Sequence, residues 1–481
     1  MKKIRGNDME EKMRRDTFKM RLDEMVVTLR SEIITGKYHV GDYLPSEVSI
    51  AKRFQLSKNS VRKGLDLLVD EGLILKKSRV GNLVVSNRTE DITTLRVGYY
   101  PSLVREVQLF ALVESFKKKF PSIEVQLVAL PYDKYSEIVL DYFDNNMIDV
   151  ITINHQHFVE MEPHAGKFET IERDGGIYSF LKEPFSIDGE LLVQPLTFSP
   201  VVLCYNRDIF EQYNIEEPDS SWNWQRITDI SDELEVNSEG RIFGFYFHPM
   251  SANRWPIFLM QENIVDKNSD SIDKKRLLQA VSVGKHIFNV RKVGMNLLSD
   301  NDSDAEQLFK DQKVAMIMAT YFSLNQFKET QLNYDIAPLP YSENAKTMLL
   351  IIGLAINKQS KNRHAARVFI DYLKSDEVQK RIYVETLSIP VMKRIAEARR
   401  DSDEESHQRP NRYHLFREVI PTFRLFNESG LSFDEMRMFK NVLRLYWSGL
   451  INDDEFHQSI QEGLRASRGE GVEYVESSRY S

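Results

Sequence analysis

The sequence predicts an α/β protein in two parts: a small winged helix-turn-helix at the N-terminus and a long body of parallel sheet flanked by helices. Two observations carry this. Residues 41–85 order a Leu-Pro-Ser-Glu start, two short amphipathic helices around a polar turn, and a basic hairpin. From Leu95 onward, strand-like and helix-like runs alternate, as in parallel sheets joined by crossover helices. At 481 residues the chain exceeds one ordinary domain. The expected boundaries are a tail at 1–17, a head at 18–87, a linker at 88–94 and a body at 95–481.

Charge is divided the same way. Residues 1–87 hold 18 Lys and Arg against 12 Asp and Glu, so the head is +6 while the whole chain is -8. A basic head on an acidic body suits a head that meets phosphates and a body that does not. The single cysteine, Cys204, sits in the apolar run Val201–Tyr205, which excludes an intrachain disulfide and reads as core filler. The basic N-terminus leads into no apolar stretch, and the longest apolar run, near Met348–Ile356, is too short to span a bilayer. The expected location is the cytoplasm, with no membrane contact.

In the head, Phe18, Leu22, Met25, Val26, Leu29 and Ile33 recur at helical spacing, and Gly36 and Gly41 end that helix. Ser46 caps a second helix and Ser57 a third. In the third, Val61, Leu65 and Leu68 face the core, while Lys58, Asn59, Arg62 and Lys63 line the outer side, where such donors read base edges. Gly72 closes it. Leu73–Leu75 and Leu83–Val85 then read as a wing, turned by Lys76–Gly81.

Together these features resemble the GntR family of bacterial transcription regulators over residues 18–87: the LPSE phrase, the Ser-x-x-x-Val-Arg helix, its Glu-Gly end and the Gly-containing wing. The resemblance implies binding of double-stranded operator DNA as a homodimer. It places Ser46, Ser57, Lys58, Asn59, Ser60 and Arg62 at bases and phosphates, and Ser78, Arg79 and Gly81 at the wing. Three positions depart from the family: Val48 replaces a frequent Arg, Gly64 a helix-favouring Ala, and Arg79 the first Gly of the wing.

In the body, strands are expected at Leu95–Tyr99, Ile123–Leu127 and Ile148–Ile153, with helices at Val104–Phe120 and Tyr132–Asn145. Ligands of such sheets sit at the carboxyl ends of strands. Further phrases then arrive in order: Val202–Phe210, Trp222-Asn223-Trp224, Phe309–Met318, Ala337–Pro340, Gly353–Lys358, Ala365–Gln379 and Ser388-Ile389-Pro390. Over about residues 95–465 this resembles the family 1 extracellular solute-binding proteins, the sugar receptors of bacterial ABC importers. The resemblance implies a periplasmic-binding-protein-like (type 2) domain of two parallel-sheet lobes around a ligand cleft, hence a repressor-like regulator that senses a small molecule, a sugar or oligosaccharide.

Sugar recognition needs aromatic faces and planar polar groups. Alignment with the receptor pattern proposes Tyr100 and Ser102 after the first strand, Asn154 and His155 after the third, and Thr197 and Ser199 in a lobe crossover. In the second lobe it proposes Asn253, Trp255 and Tyr321. Trp222 and Trp224 are assigned to packing. The family's usual acidic residue in the crossover is absent, with Ser199 near that place. His155, His157, Glu162 and His164 match no tight zinc spacing, so no metal is expected. A pyridoxal-phosphate enzyme body would need a Schiff-base Lys in context and a phosphate loop, and neither is found; no catalytic residue and no cofactor is expected. A body that only oligomerises remains open at this point.

Overall fold

The computed structural model describes residues 21–22, 24–77, 80–86, 92–173, 175–264, 272–289, 301–398 and 409–468. Two compact units emerge, one comprising Met1–Thr94 with Lys117–Glu124, the other Leu95–Phe116 with Val125–Ser481. The expected tail, Phe18, Ser78, Arg79 and most of the linker lie outside the described residues.

In the head, α1 covers residues 24–34, α2 Glu47–Phe54 and α3 Lys58–Asp70, followed by the hairpin β1 (Ile74–Lys77) and β2 (Gly81–Val84). Both expected caps form: Ser46 Oγ accepts from Ser49 N and Ser57 Oγ from Ser60 N, each at 3.2 Å. These satisfy backbone donors that a helix start leaves unpaired. Met25, Leu29, Ile33, Val61, Leu65 and Leu68 are fully buried in one core. Gly64 has a packing reason to be glycine, since a Cβ there would lie 2.2 Å from Met25 Cε and 3.1 Å from Leu22 and Val26. It lets α1 approach α3. Lys76 and Lys77 extend the wing strand, pairing with Asn82 and Gly81, so the turn is shorter than expected.

Glu32 on α1 accepts from Arg53 at 2.9 and 2.6 Å and from Lys37 at 2.6 Å. The Arg53 bond, opposed by burial and aided by Lys37, holds the Glu32 carboxyl down at about 2. A depressed carboxylate contributes stability above its unfolded value near 4.3 and loses it as pH falls toward 2. Amide protection factors in α1 and α2 are therefore expected to fall between about pH 4.5 and 2, and Glu32→Gln to remove that acid dependence.

In the body, β3 (Thr93–Tyr99), β4 (Ile123–Ala129) and β5 (Val150–Asn154) lead through a small hairpin, β6 (Ser186–Ile187) and β7 (Glu190–Leu191), into the long strand β8 (Gln194–Asn206). Then come β9 (Phe243–Tyr246), β10 (Val314–Thr320), β11 (Tyr334–Ala337), β12 (Thr347–Ile356), β13 (Ile389–Pro390) and β14 (Phe423–Arg424). One sheet runs in the order β4-β3-β5-β12-β8-β10-β9, with β11 and β13 on β8 and β14 on β12.

Parallel pairing holds at β3–β5 and β9–β10. The strand β8 instead pairs antiparallel with β10, β11, β12 and β13, and β12 pairs antiparallel with β5 and β8 but parallel with β14, so the sheet is mixed. Both pass from one lobe to the other. The first half of β8 pairs β12 and β13 at Gln194–Pro200, and its second half pairs β10 and β11 at Val201–Asn206. All thirteen residues of β8 are buried, the apolar stretch Val201–Tyr205 and the polar Gln194, Thr197, Ser199 and Asn206 alike. The expected helix Val104–Phe120 is interrupted: Leu103–Glu106 and Leu109–Lys119 are separate, with Gln108 at φ 55 between them.

The C-terminal helices Phe433–Trp447 and Asp453–Ser467 complete the second lobe's core through Phe439, Leu443, Trp447, Phe456 and Ile460. Gly284 permits this packing, because a Cβ there would meet the Trp447 ring at 2.3 Å. Cys204 is buried in β8, as expected. Trp222 and Trp224 also belong to this core, and Trp224 Nε1 donates to Gln261 Oε1 at 2.7 Å. Among the described residues no helix is long and apolar enough to cross a membrane.

Candidate functional site

The head presents Ser57, Lys58, Asn59, Arg62 and Lys63 on the exposed side of α3, because Val61, Leu65 and Leu68 turn the other side inward. Ser46 is exposed at the start of α2. Arg62 Nε donates to Glu47 Oε2 at 2.8 Å, which orients the guanidinium while leaving its side chain 57% exposed. Ser60 departs from the expectation. It is 5% exposed, with its Oγ 2.6 Å from Ser57 Oγ, so it completes the helix cap instead of facing outward. Gly81 lies in β2 at φ 138, opposite Lys77 in the wing ladder. Val48 stands exposed on α2, an apolar side chain at the position where the family resemblance has a frequent Arg.

In the body, a cleft of about 850 Å³ opens between the lobes. Its first wall carries Ser102, Arg105, Glu106, Tyr132, Asn154 and His155, and its floor is Met348–Ile352 of β12. The opposite wall carries Asn253, Arg254, Asp302, Glu306, Phe322 and Gln326. Strand ends position the first wall: Ser102 follows β3, Tyr132 follows β4, and Asn154 ends β5, where its Oδ1 caps the next helix by accepting from His157 N at 2.7 Å.

Four of the nine expected ligand residues line this cleft: Ser102, Asn154, His155 and Asn253. The other five do not. Tyr100 is fully buried beneath Tyr132, rings stacked at 4.5 Å and 1°, and its hydroxyl lies 2.6 Å from His157 Nδ1. Thr197 Oγ1 donates to the Ile389 carbonyl at 2.9 Å, tying β8 to β13. Ser199 Oγ donates to the Pro200 carbonyl and accepts from Tyr321 N, both at 2.8 Å. Tyr321 is buried, its hydroxyl donating to the Tyr413 carbonyl at 2.8 Å. Trp255 stacks on Phe439 at 5.5 Å within the second lobe's core. Tyr100 and Tyr321 follow strand ends and turn inward to fill a core, Trp255 packs at the head of a buried helix, and Thr197 and Ser199 lie within β8, where their hydroxyls bond to backbone.

Tyr132, Arg105, Glu106, Arg254 and Glu306 were missed. The strand-end rule could have found Tyr132, which follows β4 as Ser102 follows β3. Tyr132 is 47% exposed and bonded at 2.8 Å to Ser102 Oγ, so it offers a braced aromatic face. Nothing in the sequence pattern marks Glu106 or Glu306.

Three buried polar atoms on cleft residues have no hydrogen-bond partner: Glu106 Oε2, His155 Nδ1 and Arg254 Nη1. Buried polar atoms are ordinarily satisfied, so this mixture of donor and acceptor is matched by a ligand rich in hydroxyls. Burial pushes the His155 imidazole down to about 4, leaving it neutral near pH 7. Burial pushes both Glu106 and Glu306 up to about 7. His157 is occupied by Tyr100, and among the described residues no group of three or more His, Cys, Asp or Glu converges as metal ligands would.

Comparison with known proteins agrees with this division. Residues 100–380 match the family described as bacterial extracellular solute-binding protein, and residues 23–84 match bacterial regulatory proteins, gntR family. The maltodextrin-binding protein MdxE of Bacillus subtilis (strain 168) is 22% identical over 240 residues, 46% of this chain and 54% of MdxE. The chain thus spans about half the length of that relative. Among solved structures, the GacH receptor of Streptomyces glaucescens, studied with acarbose, superposes with a TM-score of 0.67 at 17% identity, over 79% of this chain and 99% of that one. The ABC substrate-binding protein Lmo0181 of Listeria monocytogenes, in complex with cycloalternan, gives 0.65 at 15% identity, over 79% and 100%. At these identities the likeness is one of fold.

Proposed function

Because this chain belongs to the bacterial extracellular solute-binding protein family over more than half its length and carries a gntR-family segment at residues 23–84, we propose that it is a ligand-responsive transcription regulator of the cytoplasm. The head binds operator DNA as a homodimer, and the inter-lobe cleft senses a carbohydrate. The observation that carries the sensing half is the cleft itself. It combines an aromatic face at Tyr132 with unpartnered donors and acceptors on His155, Arg254 and Glu106, the pairing that sugar rings require. MdxE is a maltodextrin-binding protein, and the two structural neighbours are known in complex with cycloalternan and with acarbose, which supports the same ligand class.

The mechanism is a population shift. The crossover strands β8 and β12 provide a hinge, and a sugar that binds the closed lobes more tightly than the open ones biases closure. The resulting change in operator affinity is bounded by that difference, about 1–3 kcal/mol, or roughly 5- to 150-fold. The protein works by binding and requires no bond-making step.

The test uses the full chain with DNA duplexes selected from a random pool. A carbohydrate panel is scored by melting temperature and by operator affinity. At least one sugar is expected to change both. Tyr132→Ala is expected to weaken that sugar about tenfold, corresponding to ~1.4 kcal/mol, with basal DNA affinity retained. A chain whose melting and DNA affinity ignore every sugar in the panel would instead be a constitutive DNA-binding protein whose body serves assembly.

A further inference from the structure

Two carboxylates enter the cleft from opposite lobes. Glu106 ends the short helix Leu103–Glu106 behind β3, and Glu306 lies on the helix Asp302–Lys310. Glu106 Oε2 is buried without a donor, whereas Glu306 Oε2 accepts from Gln326 Nε2. Asp302 adds a third carboxyl to the lining. The guanidiniums offset these only in part. Arg254 Nε donates to the Met318 carbonyl at 3.1 Å and its Nη2 lies 4.0 Å from Asp302, while Arg105 is exposed.

Burial raises both glutamates; the Ser102 hydroxyl offsets this in part at Glu106, where the charge of Glu306 raises it further, and Arg254 offsets it in part at Glu306. Their ionised forms are therefore held at a cost, most of all at the oxygen that has no donor. A ligand hydroxyl would supply a donor yet leave the repulsion between the two carboxylates. A ligand ammonium supplies donors and the opposite charge together.

We infer that the effector is an amine-bearing carbohydrate whose ammonium docks between Glu106 and Glu306. The inference rests on the sugar-sensing reading above and narrows it. Because one carboxylate belongs to each lobe, the bound cation also bridges the lobes, which couples recognition to closure.

The experiment is titration calorimetry on the full chain at pH 7. The probes are glucosamine and galactosamine oligomers of two to four units, each paired with its N-acetylated counterpart, with neutral malto-oligosaccharides alongside. A free-amine form is expected to bind at least about tenfold tighter than its N-acetylated partner. Glu106→Gln and Glu306→Gln, which keep side-chain size, are each expected to reduce that preference below about threefold. A second readout needs no variant: the preference declines as salt rises, because it arises from paired charges.

Equal or tighter binding of the N-acetylated or neutral sugars overturns the inference while carbohydrate sensing stands. Retention of the full preference in both variants also overturns it. If no member of the panel binds, the sugar-sensing reading falls and takes the inference with it.

Discussion

Replacing Arg62 by Ala is expected to weaken operator binding at least about thirtyfold while leaving the melting temperature of the protein unchanged. Arg62 lies on the exposed side of α3 with Lys58 and Asn59, and Val61 behind it is fully buried, so the helix holds its orientation without the guanidinium. A well-placed guanidinium contact to a base is worth about 1–3 kcal/mol of discrimination, and the proposed homodimer would present it twice. The loss is then roughly 2–6 kcal/mol, at least about thirtyfold in affinity.

The ion pair with Glu47 is exposed, and surface pairs contribute little to folding, so its removal leaves stability intact. Glu47→Gln provides the complementary measurement. It removes the charge of Arg62's partner while keeping an acceptor and is expected to preserve DNA binding, which separates a guanidinium that reads DNA from one whose role is its ion pair between α2 and α3. Unchanged operator affinity in the Arg62→Ala variant would move the reading surface off α3.

Trp255→Ala is expected to unfold the second lobe, in contrast to the selective loss of ligand response that its place in the family pattern suggests. Trp255 is 2% exposed, stacks on Phe439 and heads the wholly buried helix Pro256–Glu262. Truncating a buried Trp costs about 3–5 kcal/mol through lost transfer energy and the cavity left behind. Trp255→Phe distinguishes this from a ligand contact. The indole Nε1 has no hydrogen-bond partner, so a phenyl ring keeps most of the stacking and removes an unsatisfied donor. Near-native melting and an intact sugar response are expected for Trp255→Phe. A normal melting temperature in Trp255→Ala together with a lost response would restore Trp255 to the binding surface.

The contrast between Trp255 and Tyr132 shows how much of the site was legible. Ser102, Asn154 and His155 could be placed because each follows a strand end, and a strand end is a local property of an apolar run. Asn253 followed from its position in the receptor pattern. Trp255 and Tyr321 were ranked by residue type and position, yet whether an aromatic ring becomes platform or core depends on what packs over it. Phe439 and Tyr413 do so here, from 184 and 92 residues away. Tyr132 was passed over although it obeys the strand-end rule, since its exposure depends on Tyr100 filling the space beneath.

What the amino-acid sequence determined by itself was local. It specified the two serine caps, the buried face of α3 with its basic outer side, the wing, and the order of strands and helices in the body. Each follows from side-chain spacing within about a dozen residues, where 3.6- and 2-residue periods act. The tertiary structure alone decided that β8 and β12 run antiparallel through a mixed sheet and cross between lobes. It also decided that Ser60 turns inward, that Gln108 breaks the first helix of the body, and that Glu106 and Glu306 meet across one cleft. Those outcomes depend on contacts between segments as much as two hundred residues apart, and on which side chains those contacts strip of water. No period in the chain encodes that.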